Sequence, residues 1–107
     1  MSDFTMDSYA HTIGQDIAHT YKNAVDTVAY DAADPHGDAA SAYIVLKNGV
    51  SAELHDCNNG SRVTVVAEIM AHNGEAAYFA DAADFADGCA HAVSEIISLM
   101  SYMSLRP

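Results

Sequence analysis

"HDCNNGSRVTVV", residues 55–66, contains the second of three Asn-Gly pairs in this chain, after Asn48-Gly49 and before Asn73-Gly74. Asn-Gly is the strongest short hairpin signal, because the tight turns that match strand twist need residues that tolerate positive φ. Three such turns imply four antiparallel strands in a meander. If each pair forms a two-residue loop, the middle hairpin sets Val50 against Ile69, Ala52 against Ala67 and Leu54 against Val65. All of these are apolar and fall on one face. The same assumption adds Tyr43 and Val45 from the first strand to that face, and Ala76, Tyr78 and Ala80 from the last. A slip of one residue would reverse the face of every side chain.

The flanks read as helices. From Met6 to about Ala29, apolar residues fall at 6, 9, 10, 13, 17, 21, 24, 25 and 28, close to a 3.6-residue period. Gly14 weakens that helix, and "DPHGD", residues 34–38, ends it. Asp81 is placed to cap a second helix whose buried stripe holds Phe85, Cys89, Val93, Ile96, Met100 and Met103. The expected fold is therefore α+β, in the order α-β-β-β-β-α. It is a single domain over residues 1–107, with a four-stranded antiparallel sheet and two flanking helices. The second sheet face mixes Ile44, Leu46, Val66, Met70 and Phe79 with Glu53, His55, Arg62, Thr64 and Glu68. It is too apolar for a plain solvated surface, so these five apolar residues are expected either under a helix or at an interface, including that of a homodimer.

No catalytic motif emerges. No serine sits in a G-x-S-x-G turn, and no glycine-rich phosphate loop precedes a helix. His55 and Cys57 share a strand face, but Cys89 and His91 point to different sides of a helix, so the four do not make a zinc site. His11 and His19 stand too far apart along a helix for one ion, and both read as surface residues. Asp34, His36 and Asp38 could face a cation, yet Pro35 and Gly37 are accounted for as loop-makers. The tyrosines and phenylalanines fall mostly on stripes expected to be buried. No cofactor, metal or catalytic residue is expected. No apolar run reaches membrane length, and "MSDFTMDS" lacks the basic and apolar regions of a secretory signal. Two cysteines are too few for a disulfide scaffold, and the expected location is the cytoplasm.

Charge is the unusual quantity. Fifteen acidic and four basic residues in 107 leave a formal net charge of −11, beyond the magnitude of about 2–8 that suits a small domain. Direct nucleic-acid binding needs more phosphate-neutralising lysines and arginines than the four in this chain. Asp84, Asp87 and Glu95 lie along the second helix, the first two near an N-terminus that favours anions. Asp26, Asp31, Asp34 and Asp38 instead cluster around the expected end of the first helix, where exposed carbonyls disfavour them. No lysine or arginine lies between Lys22 and Lys47. Local rules broken without compensation mark functional surface, so Asp31, Asp34 and Asp38 lead the expected partner-binding residues, with Asp26, Asp84, Asp87 and Glu95 beside them. By size and acidity the chain resembles small phage and plasmid anti-defence proteins, the anti-CRISPR and anti-restriction DNA mimics. That resemblance implies an inhibitor of a nucleic-acid-handling complex that engages its basic surface. The alternative is another intracellular binding module, such as a toxin-immunity protein or an acidic secretion chaperone.

Overall fold

The computed structural model describes residues 9–31, 40–59, 62–82 and 89–105. Among them the chain forms α1 (Tyr9–Thr20), β1 (Val25–Asp31), β2 (Ser41–Leu46), β3 (Ser51–Asn59), β4 (Arg62–Met70), β5 (Ala76–Ala82) and α2 (Ala90–Ser104). The strands make one antiparallel sheet in the order β1-β2-β3-β4-β5. The α+β class and the meander agree with the sequence; the sheet has a fifth strand.

That strand occupies what the sequence pattern assigns to the first helix. α1 stops at Thr20, a turn follows through Ala24, and Lys47 N donates to Ala24 O at 2.7 Å. The misleading feature is a bulge at Asp26. The register shifts between Val25, which pairs with Leu46, and Thr27, which pairs with Val45. Val28 then pairs with Ile44, so Val25 and Val28 both pack against the core although they are three residues apart. An extra residue in a strand thus imitates the spacing of a helix.

The Asn-Gly loops differ from expectation in the same way. Gly49 N donates to Leu46 O (2.9 Å), and Leu46 N donates to Val50 O (2.8 Å). Lys47, Asn48 and Gly49 therefore form a three-residue loop, with Gly49 at φ 93°. Residues 72–74 repeat it: Gly74 N donates to Ala71 O (3.0 Å), Ala71 N donates to Glu75 O (2.8 Å), and Gly74 has φ 90°. In both, the asparagine Oδ1 accepts the amide two residues on, from Val50 (3.1 Å) and Glu75 (3.0 Å). Such a loop is a turn closed by a left-handed glycine, and its odd length reverses the face of the flanking strand.

Consequently Ala42, Ile44 and Leu46, not Tyr43 and Val45, face inward from β2. On β5, Ala77 and Phe79 pack against the core while Ala76, Tyr78 and Ala80 are exposed. β3 and β4 keep their predicted faces, because Ala52 pairs with Ile69 and Leu54 with Ala67, a shift of two residues. Residues 60 and 61 of that hairpin lie outside the described residues.

Both helices lie on the Ile44–Leu54–Ile69 face, α1 against β1 to β3 and α2 against β4 and β5. Ala10, Ile13 and Ile17 of α1 and Ala92, Ile96, Met100 and Met103 of α2 complete the core. Gly14 is inside this packing: a β-carbon there would lie 2.9 Å from the Ala42 β-carbon, so its absence lets α1 sit close on β2. His11 is 1% exposed, not a surface residue; its Nε2 lies 3.0 Å from Asp31 O and its ring meets Tyr30 edge-on.

α2 begins at Ala90, after Cys89 in a left-handed conformation (φ 60°). Asp81 does not cap it, since Asp81 belongs to β5 and pairs with Val65. The remaining expected stripe is found: Cys89, Ile96, Met100 and Met103 are buried and Val93 packs against them. Phe85 lies outside the described residues.

Candidate functional site

With both helices on one side, no described element covers the other side of the sheet. The strand register sets its side chains in rows. The central row runs Ala29–Tyr43–Glu53–Glu68–Tyr78 across all five strands. On one side of it lies Thr27–Val45–Ser51–Met70–Ala76, and on the other Asp31–Ser41–His55–Val66–Ala80. Tyr43 is 43%, Met70 39% and Tyr78 71% exposed, so the aromatic groups are not confined to buried stripes.

The middle of the central row is anionic. Glu53 and Glu68 are direct cross-strand partners, an arrangement in which like charges destabilise a sheet. Each has a local partner. The Tyr78 hydroxyl donates to Glu68 Oε2 at 3.2 Å, and His55 Nε2 lies 3.5 Å from Glu53 Oε2. The hydrogen bond to Glu68, then its charge, and lastly some desolvation push the Tyr78 phenol above its ordinary pKa. Asp31 adds a third carboxylate in the neighbouring row. Among the described strands, the one lysine or arginine that the register sets on this face is Arg62, at the end of β4 opposite Asn59; its side chain lies outside the description. The arrangement offers strong hydrogen-bond acceptors and aromatic surface on a rigid support, with no nucleophile–base pair among these contacts.

The expected partner-binding acids are dispersed. Asp26 sits at the β1 bulge and Asp31 at the end of β1, both exposed. They belong to a strand rather than to the end of a helix, so carbonyl repulsion at a helix terminus does not apply to them. Glu95 is exposed on α2, in the helical layer on the opposite side of the sheet from Glu53 and Glu68. Asp34, Asp38, Asp84 and Asp87 lie outside the described residues. Of the five expected interface residues, Val66 and Met70 are on the open face. Ile44 and Leu46 are buried beneath the helices and Phe79 packs against that core, a correction that follows from the three-residue loops. Tyr43 and Tyr78 were the residues missed. The signal for them was available in β2, where Ala42, Ile44 and Leu46 make a more apolar inward set than Tyr43 and Val45.

Cys57 is exposed and Cys89 buried, both as thiols. Among the described residues no group of three His, Cys, Asp or Glu side chains is placed to hold a metal ion. No described helix is long and apolar enough to cross a membrane. Comparison with protein-family models, characterised proteins and solved structures gives no match.

Proposed function

We propose that this chain is an acidic inhibitor that acts in the cytoplasm by docking on a cationic surface of another protein, with a nucleic-acid-handling defence complex as the expected class of partner. The observation that carries the reading is the Glu53–Glu68 cross-strand pair at the middle of a sheet face that no described element covers. A sheet that tolerates adjacent like charges there is less stable than it need be, and local destabilisation without local gain fits a binding surface. Proteins that hold nucleic acid present dense Lys and Arg surfaces to phosphates. Carboxylates fixed on strands supply matching acceptors, and a net charge of −11 speeds encounter with such a surface. No catalytic step, cofactor or metal enters this reading.

The test is capture of partners from host lysate at low salt, with elution by a salt gradient and competition by duplex DNA. A partner released by moderate salt and displaced by DNA supports the proposal. Retention indifferent to both removes it. The second reading, a binding module such as an immunity protein or secretion chaperone that associates through its apolar groups, is favoured by the exposure of Met70 and Tyr78. It predicts a homodimer or heterodimer that survives high salt in sedimentation.

A further inference from the structure

We infer that the Tyr43–Glu53–Glu68–Tyr78 row reads arginine side chains of the partner in preference to lysine, an inference that rests on the proposed docking of a cationic surface. Neighbouring strands stand about 4.8 Å apart, so the two carboxylates rise side by side with a tyrosine on each flank. A guanidinium is planar, carries five donors in a fixed fork, and is weakly hydrated. It can donate to two adjacent carboxylates while its face stacks on an aromatic ring. An ammonium is a compact, strongly hydrated point charge that gains less from this arrangement. The hydrogen bond from Tyr78 to Glu68 holds one of the carboxylates in place before a partner arrives, which lowers the entropy lost on docking.

Charge and area select the occupant. A second copy, itself carrying −11 over its whole chain, would be repelled by the first. The open face covers five strands by about six residues, roughly 500 Å² at standard strand spacings. A surface this small needs strong individual contacts, and charge-assisted pairing with arginine provides them.

The experiment uses the full chain and two fluorescein-labelled probes, octa-arginine and octa-lysine, with binding read by anisotropy at low salt. Octa-arginine should bind roughly three- to tenfold more tightly, the range that stacking and bidentate pairing allow. The double variants Glu53→Gln with Glu68→Gln, and Tyr43→Leu with Tyr78→Leu, should each bring that ratio close to one. Asp16→Asn with Glu95→Gln removes the same charge from exposed positions in the helical layer; it should weaken both probes equally and preserve the ratio. Circular dichroism of each variant confirms that it is folded. Equal affinity of the two probes for the parent, or a preference that survives the glutamine pair, overturns the inference while leaving cationic docking intact. Failure of both probes to bind at low salt overturns the docking reading as well.

Discussion

Asp56 Oδ1, in the middle of the sheet's third strand, accepts the backbone N–H of Ala10 at 2.7 Å, a link between residues 46 apart in sequence. The first N–H groups of a helix have no intrahelical acceptor and carry partial positive charge. α1 takes an N-terminal acceptor from β3, so one contact both satisfies the helix end and docks it. Asp56→Ala should therefore destabilise the fold by about 1–2 kcal/mol, the range for a lost helix cap. Asp56→Asn, which keeps the oxygen, should lose less. Denaturant unfolding of the two variants checks the order, and equal midpoints for Ala and parent would remove the capping role.

Gly14 reverses an ordinary rule. In an exposed helix, Gly→Ala stabilises by nearly 1 kcal/mol. Here the added methyl would meet the Ala42 β-carbon at 2.9 Å and Tyr30 Cε1 at 3.3 Å. Gly14→Ala should instead destabilise by about 1–3 kcal/mol, as overpacking does. Ala42→Gly in the same chain should recover part of the loss, and a double-mutant cycle on thermal or urea unfolding measures the coupling.

The two visible Asn-Gly loops give an internal comparison. Gly49 and Gly74 have φ near 90° in equivalent loops, so alanine at either position strains the backbone. At Gly74 nothing lies within 4 Å of the added carbon, whereas at Gly49 the His72 β-carbon is 3.1 Å away. Gly74→Ala should cost about 1–2 kcal/mol from backbone strain alone, and Gly49→Ala should cost more. Equal losses in equilibrium unfolding would show that the approach of the two loops is relieved without strain.

These loops also show how far the sequence could be read. Helix, hairpins and α+β class follow from periodicity and Asn-Gly, because those signals are local. The number of residues in a turn is set by hydrogen bonds such as Leu46 N to Val50 O, which the dipeptide does not encode. One added residue moved Tyr43 and Tyr78 from the expected core to the open surface and moved Ile44 and Leu46 under the helices. The bulge at Asp26 hid a strand by the same arithmetic. Charge excess was plain from composition. The pairing of Glu53 with Glu68 was not, because it needs the register of β3 against β4.

That pairing makes a prediction about stability. Like charges directly opposite in a sheet oppose folding by a fraction of 1 kcal/mol. Glu53→Gln should raise the unfolding free energy by roughly 0.2–1 kcal/mol at low salt, and the gain should shrink as salt screens the pair. Under the proposed function the same change weakens partner binding, the expected trade-off at a surface kept for recognition. A variant no more stable than the parent at low ionic strength would show that the two carboxylates do not repel in the native state.

Tyr78 reports on Glu68 through its own titration. Its hydroxyl donates to the carboxylate, whose bond and charge favour the neutral phenol, and its pKa is raised above the ordinary 10.0. Tyr30 is raised as well, by burial. A phenol whose folded pKa exceeds its unfolded one contributes stability that is whole below pH 10 and is lost as pH rises through the folded value. Unfolding free energy should accordingly fall above pH 10. In Glu68→Gln the carboxylate's bond and charge are gone, so Tyr78 should titrate closer to 10.0, as followed by tyrosinate absorbance with Tyr78→Phe as the blank. Tyr30 should stay raised in that variant, because its cause is burial and not Glu68. An unchanged Tyr78 titration in Glu68→Gln would mean that the hydrogen bond between them does not persist in solution.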